Sequence, residues 1–505
     1  MLLLLLCLVN GEFDLRQPDA ELFNQFIREY HREYRTEEEK TRRFLIFKSE
    51  VNTIRLLNAE RTKDSDAVFE INNYTDQLIP EITKVVPSEL TREEEAIEER
   101  ERYDQEHDIP SKKHKRYKKS GLSHLKNIKL RGPGGDFRND TNNNTIINNT
   151  DNSNTYNNSN NPIENESQSS DDNTENYTFD KDAYRPYNNL PDLPEGDIIP
   201  LYHSYCGPYV MNNTEREKVD LCGQQVDQGR CGCCYAASLA NYGQYAYANI
   251  SYTLTHDANA IEKPLFTPQR WTDTVYTSAT SRCCGGNPGD CLTQLPSFTF
   301  NADYPYVDVN GAGCNLRGDQ NSKVPIKLYA KKYTEFSTAD LERDEEKAFA
   351  LKKILHHYGP FLAGIRTGGN GFQSYKGGIF RPKKDRCKGR PDHQIFVVGY
   401  GVENNEEFFI IRNSWENGWG EYNNYMRVSN YSLCGIGAMI GKTVHPINYI
   451  IESYSCLLDE NCKNCDATSL VCTECKNGGV PNERGICNSS PRVWMILFFL
   501  VLLLL

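Results

Sequence analysis

The chain is poor in hydrophobic residues. They fill 38% of its 505 positions, below the usual globular share, so part of the length belongs to segments that bury nothing. Positive charge is not in excess either: 57 Lys and Arg against 69 Asp and Glu leave a formal charge of −12. The acidic residues concentrate before residue 110, above all from Arg92 to Glu106, and no nucleic-acid partner is implied. The basic stretch Lys112 to Lys119 reads as a solvated, protease-sensitive linker rather than a phosphate-binding patch. No long apolar run is present. Val493 to Leu505 is wholly apolar, but as a helix it reaches only about 20 Å, short of the roughly 30 Å hydrocarbon layer. With Asn488, Ser489 and Ser490 before it, residues 489–505 are expected to be a membrane anchor or an anchor signal, not a plain span.

Cysteine, by contrast, is abundant. Eighteen cysteines point to an oxidising compartment. The apolar stretch Leu2 to Val9 fits a secretory signal over residues 1–11, although a basic segment before it is missing. The chain is therefore expected in the secretory pathway, at the cell surface or in lysosome-like vesicles, with membrane contact through its tail. Glycosylation sequons stand at Asn73, Asn143, Asn176, Asn212, Asn249 and Asn430, in a chain rich enough in Asn to produce some by chance.

Composition divides the chain. Between Leu22 and Asn58 apolar residues recur at helical spacing (Phe23, Phe26, Ile27, Tyr30, then Phe44, Phe47, Ile54), which predicts two amphipathic helices in need of a partner surface. Thr36 and Glu39 form a capping box for the second, and Phe69 to Thr75 reads as a strand. Residues 139–178 are dominated by Asn with Ser, Thr, Asp and Glu and cannot repay the entropy of ordering, so 104–189 is predicted to be a disordered linker. From 190 to 449 the composition is globular. Residues 450–488 hold Cys456, Cys462, Cys465, Cys472, Cys475 and Cys487. Their two Cys-x-x-Cys pairs are closely spaced in a secreted chain, which favours three disulfides over zinc. No metal and no cofactor is expected.

The chemistry lies in three stretches. In the first, Gln228-Gly229-Arg230-Cys231-Gly232-Cys233-Cys234-Tyr235-Ala236 leads from a loop into a run of small apolar residues suited to a packed helix. A thiol at a helix N-terminus feels the positive end of the dipole, which favours the nucleophilic thiolate. Gln228 can offer its amide to a developing oxyanion. In the second, Asp392-His393-Gln394 opens the apolar run Ile395 to Val398, holding an imidazole at a strand start. In the third, Arg412-Asn413-Ser414-Trp415 is followed by Glu416-Asn417-Gly418-Trp419-Gly420. The Asn413 oxygen can accept the imidazole N–H and fix its tautomer, and Trp415 can shield that bond.

These stretches resemble the active-site signatures of the papain and cathepsin family, with Tyr235 where Trp is usual and Cys233 where a small residue is usual. The order Cys, His, Asn, with gaps of about 160 and 20 residues, is similar too. The resemblance implies catalytic roles for Cys234, His393, Asn413 and Gln228. Two adjacent thiols compete for the nucleophile's role, and the spacing from Gln228 selects Cys234. Cys283-Cys284-Gly285-Gly286 resembles the family's cleft wall, so Gly285 and Gly286 are expected to bind substrate, together with Trp415 and Met439. Met439 falls where the family closes its S2 pocket, opposite Asn287 and Pro288, which implies an apolar P2 preference. Tyr304-Pro305-Tyr306 and Tyr375-Lys376-Gly377-Gly378-Ile379 also resemble family segments. Cys387 and Cys434 match a family disulfide, Cys231 is matched to Cys283 or Cys284, and Cys314 is left with Cys284 or Cys291. Apart from Cys7 and Cys234, sixteen cysteines remain, an even number that permits full pairing.

The amino-terminal helices then resemble the family's propeptide: Glu39, Arg43, Phe47, Ile54 and Asn58 lie on its first motif, with Glu50 where Asn is usual, and Asn72, Tyr74 and Asp76 on its second. The implied fold is α+β: a two-lobed papain-like domain, one lobe helical and one β-barrel-like, behind an inhibitory prodomain over 12–103. The implied activity is hydrolysis of protein or peptide substrates through a thioester, from a precursor inhibited by its own prodomain. The rival reading is an inactive cell-surface adhesion protein on the same fold.

Overall fold

The computed structural model describes residues 13–82 and 199–487, apart from 216–217, 278, 319–323, 340, 342, 388–389, 439–447, 467–469 and 483–484. The expected signal segment, Asn-rich linker and apolar tail lie outside the described residues, and so does Met439.

The two expected amino-terminal helices are present as α1 (Asp19–Glu29) and α2 (Glu37–Ala59). Thr36 accepts the Glu39 amide at 3.1 Å, while the Glu39 carboxylate reaches back to the Arg35 amide at 2.9 Å. The box thus closes one residue further out than expected, satisfying one donor that the helix leaves open and one of the chain leading into it. Leu22, Phe23 and Phe26 of α1 meet Phe47, Val51 and Ile54 of α2 in a common core, with Phe47 centred 5.0 Å from Phe26 and 5.2 Å from Phe23. Asn58 then brackets Phe69, donating to its carbonyl at 2.7 Å and accepting its amide at 3.0 Å. The strand expected from Phe69 to Thr75 is shorter: β1 spans Val68–Phe69. Beyond it, the Asn72 side chain accepts the Tyr74 amide at 2.9 Å and folds the chain into a turn, before the short α3 (Ile79–Ile82).

The larger region begins with β2 (His203–Ser204) and a long helix, α4 (Cys234–Thr255). Next come α5 (Gln269–Thr274), α6 (Pro288–Gln294), β3 (Ser297–Phe298), β4 (Leu328–Phe336), α7 (Asp344–Tyr358), β5 (Phe361–Ile365), β6 (Tyr375–Gly377) and β7 (Ile379–Phe380). The long strands β8 (His393–Glu403), β9 (Glu406–Arg412), β10 (Tyr425–Ser429) and β11 (Asn448–Tyr454) complete it. Nine strands form one sheet in the order β3-β4-β11-β5-β8-β9-β10-β7, with β2 beside β8. The order is an open path and does not close on itself. Both faces are buried, which is why β5, β8 and β9 read as unbroken apolar runs. Leu362, Phe396, Val398, Phe408 and Ile410 face the core shared with α4. Their neighbours Ala363, Ile395, Val397, Phe409 and Ile411 join a second core that also holds the amino-terminal helices, as a strand's period of two requires.

The tail is a two-stranded unit, β12 (Cys462–Cys465) and β13 (Cys472–Cys475). It is closed by Cys456–Cys465, Cys462–Cys472 and Cys475–Cys487. Asp459 clasps it to β11, accepting from the Tyr454 hydroxyl at 2.7 Å and the Cys487 amide at 2.9 Å. Elsewhere Cys206–Cys222, Cys231–Cys283, Cys284–Cys314 and Cys387–Cys434 are bonded. Full pairing of the sixteen cysteines is not reached: Cys233 and Cys291, like Cys234, are buried outside any disulfide.

Candidate active site

Cys234 is the first residue of α4, where the open amides and the helix dipole favour a thiolate. The turn before it needs a glycine. Gly229 has φ +57°, and a Cβ there would lie 2.0 Å from the Val309 carbonyl oxygen. That turn carries Gln228, fully buried, whose amide donates to the Ser414 carbonyl at 2.8 Å. Its carboxamide is oriented by the Ser414 hydroxyl, which donates to Oε1 at 2.7 Å, and Nε2 donates to the Cys231 carbonyl at 3.0 Å. The two neighbouring thiols differ. Cys233 is turned to the Tyr306 hydroxyl at 3.3 Å, and burial pushes its pKa far above the ordinary thiol range.

His393 opens β8, opposite Ile365 of β5. Its Nε2 lies 2.7 Å from Asn413 Oδ1, both residues being fully buried. Its Nδ1 is buried without a hydrogen bond. Because a carboxamide oxygen only accepts, Nε2 carries the proton and Nδ1 the lone pair. The ring packs beside Trp415 (5.3 Å between centroids) and Phe372 (5.8 Å). Burial lowers the His393 pKa to about 4, against the pull of the Asn413 bond. Asn424 shapes the loop: its carbonyl accepts the Asn413 amide at 2.8 Å, its side-chain oxygen accepts the Trp415 amide at 3.0 Å, and its side-chain nitrogen donates to the Glu416 carbonyl at 2.9 Å.

Gly285 (φ +103°) and Gly286 follow the Cys231–Cys283 and Cys284–Cys314 bonds. A Cβ at Gly286 would come within 2.7 Å of the Tyr235 ring, so glycine lets this wall close on the first turn of α4. Asn287 caps α6, accepting the Gly289 amide at 2.7 Å.

The amino-terminal segment reaches the same place. Tyr74 packs on Trp415 with centroids 4.7 Å apart and the rings tilted by 39°, and its hydroxyl accepts the Glu416 amide at 2.8 Å. Asn72 donates to the Gln373 carbonyl at 2.8 Å, and β1 pairs antiparallel with β6. Sequence reasoning missed the roles of Ser414, Tyr306 and Asn424. The first two sat inside stretches already singled out, whereas nothing marked Asn424. Among the described residues, two clusters have the composition of a metal site, but their cysteines are bonded to one another or to neighbouring cysteines.

Residues 212–443 match the papain family cysteine protease domain, and residues 23–81 the cathepsin propeptide inhibitor domain. The chain is 32% identical over 223 residues to a probable cysteine protease of Arabidopsis thaliana, covering 44% of this chain and 42% of that one. It is 33% identical over 230 residues to a low-temperature-induced cysteine proteinase of Solanum lycopersicum, covering 44% and 58%. The chain thus spans about half the length of the curated relatives it matches. Among solved structures, digestive procathepsin L 3 of Tenebrio molitor is similar, at 15% identity and TM-score 0.47, over 86% of this chain and 99% of that one. The chain carries a papain-family cysteine protease domain behind a cathepsin propeptide inhibitor domain.

Proposed function

We propose that the protein is a cysteine endopeptidase made as an inactive precursor. The observation that carries this reading is the imidazole of His393, fixed at Nε2 by Asn413 so that Nδ1 alone is left to exchange a proton. Cys234 is the nucleophile. Its neighbour Cys233 is disfavoured because it precedes the helix and its thiol is turned to the Tyr306 hydroxyl.

The Cys234 thiol gives its proton to the His393 Nδ1 lone pair, the resulting thiolate attacks the peptide carbonyl carbon, and the oxyanion takes hydrogen bonds from Gln228 Nε2 and the Cys234 amide. The proton on His393 Nδ1 passes to the leaving amine as the C–N bond breaks. Water, deprotonated by the same nitrogen, then attacks the thioester, releasing the acid and restoring the thiolate. Asn413 keeps the imidazole in one orientation throughout. Protein or peptide substrates lie along Gly285 and Gly286, beside Trp415, with an apolar side chain preferred at P2. In the precursor Tyr74 covers Trp415, so the prodomain is the protein's own inhibitor. The presence of all four catalytic side chains weighs against an inactive adhesion protein.

An oxidising secretory compartment belongs to the same proposal, supported by seven disulfides among the described residues. So do glycosylation, delivery to the cell surface or a lysosome-like vesicle, and attachment through the apolar tail. No helix among the described residues is long and apolar enough to cross a membrane.

Hydrolysis of a fluorogenic peptide by the processed protein tests the assignment. Cys234→Ala is expected to lose about four orders of magnitude or more in kcat, and Cys233→Ser to keep most of it. The reverse pattern would refute the choice of nucleophile.

A further inference from the structure

The oxyanion site proposed above has two halves on different pieces of chain: the Gln228 side chain on a turn, and the first amide of α4. A side chain from a third piece ties them together. The Tyr306 hydroxyl donates to the Gln228 carbonyl at 2.7 Å. The Cys233 sulfur lies 3.3 Å from the same hydroxyl. A phenol has one proton, and it is committed to the carbonyl, so the thiol is the donor in the second bond. One oxygen thus bridges the backbone of the oxyanion donor and the residue immediately before the nucleophile.

The tie is itself held firmly. The Tyr306 amide donates to Asn301 Oδ1 at 2.9 Å, and the next amide, of Val307, to Gln269 Oε1 at 2.9 Å. Asp308 is clamped by Arg282 at 2.7 Å and by Gln269 at 2.9 Å. Val309 then accepts the Arg230 amide at 2.8 Å, inside the Gln228 turn. The 301–309 loop therefore braces the turn at two points, and only the Tyr306 contact also reaches the helix.

We infer that Tyr306 is a positioning residue for the hydrolytic reaction, holding Gln228 at a fixed distance from the N-terminus of α4. This rests on the proposed function. An oxyanion hole works by being in place before charge develops, so a donor left to wander costs rate rather than substrate affinity. Tyr306→Phe keeps the ring and deletes the tie. Loss of one neutral hydrogen bond of this kind corresponds to a fall of about 3- to 10-fold in kcat, with KM unchanged.

The test is steady-state hydrolysis by processed wild type, Tyr306→Phe, Gln228→Ala and the double variant, each titrated first with an epoxide that alkylates the Cys234 sulfur without passing through a tetrahedral carbonyl adduct. Equal labelling, lower kcat at constant KM, and no further loss when Tyr306→Phe is added to Gln228→Ala are expected, because the hydroxyl acts through Gln228. Unchanged kcat in Tyr306→Phe overturns the inference, and so does a loss that multiplies with that of Gln228→Ala. Failure of Tyr306→Phe to yield folded, epoxide-reactive protein would also overturn it, since the hydroxyl would then serve folding. Absence of labelling and turnover in wild type would instead sink the proposed function.

Discussion

Two packing faces of the larger region are built differently, the one that the central sheet turns to α4 and the one around β6 and β7 that receives the amino-terminal segment. Toward α4 the contacts are apolar and aromatic: Phe396 packs 6.2 Å from Tyr242 and 6.3 Å from Tyr245, among Leu362, Val398, Phe408 and Ile410. Toward the amino-terminal segment a smaller apolar contact, Phe69 against Phe380, is ringed by charge pairs and backbone bonds. Glu60 meets Lys383 at 2.9 Å and Arg386 at 3.1 Å, Asp66 meets Arg381 at 2.5 Å, and Glu70 meets Lys376 at 2.8 Å. The Glu70 amide donates to the Ser374 carbonyl, and the Ile379 amide to that of Ser65. Groups that pair in this way accept water when separated, whereas a bared apolar face does not. One face is made to stay closed and the other to be released.

The largest effect expected from this contrast is at the permanent face. Phe298, fully buried and 5.1 Å from Trp271, should cost about 3–5 kcal/mol when changed to Ala, read by denaturant unfolding of the processed protein. A loss below about 1 kcal/mol would mean this core is not what holds the lobes.

Acid should act on the two faces in opposite directions. His393 has its pKa lowered by burial from 6.5 to about 4. The folded precursor therefore prefers the neutral ring, and stability is lost as pH falls from about 6.5 to about 4, on the order of 3 kcal/mol. Glu335, at the α4 side beside Gly289 and Tyr449, is raised well above the carboxyl range by burial and by the Asp290 carboxylate. Its contribution is present below the ordinary carboxyl pKa and is lost as pH rises through the raised one. Thermal unfolding of the Cys234→Ala precursor should fall in midpoint over the acid window, less so with His393→Gln added. Glu335→Gln should gain stability near neutrality. Equal pH profiles for all three would break the contrast.

Smaller effects belong to the releasable face. Tyr74→Ala removes the ring over Trp415 and should speed epoxide labelling of the uncleaved precursor about 30-fold, as for an aromatic anchor worth ~2 kcal/mol. Asp66→Asn should raise it about 5-fold at low salt and less at high salt, since an ion pair that is only partly buried is still screened. Arg381 keeps Glu406 as a partner, which limits the loss.

Much of the site was legible because it is carried by short stretches. Gln228 and Cys234 sit in one loop-to-helix turn, and Asn413 and Trp415 in one loop. The helices of the prodomain could be read from their period and from Thr36 and Glu39. Contacts between distant pieces were not legible. Tyr306 binds Gln228 across 78 positions, and Tyr74 binds Glu416 across 342; no local pattern encodes either. The pairing of Cys284 with Cys314, leaving Cys291 a buried thiol, depends on three-dimensional proximity that cysteine counting cannot supply. The strand expected from Phe69 to Thr75 stops at Phe69 because Asn72 bonds to the backbone locally, a competition that alternation of residue types does not reveal.

On the proposed function, a releasable segment that packs on Trp415 keeps substrate from a thiol at position 234 that is otherwise ready to react. Epoxide labelling of the intact precursor and of the processed protein, with the modified peptide identified by mass spectrometry, measures this directly. Almost no label is expected before processing and one label per chain on Cys234 afterwards. Equal labelling of both forms, or label on Cys233 or Cys291, would contradict it.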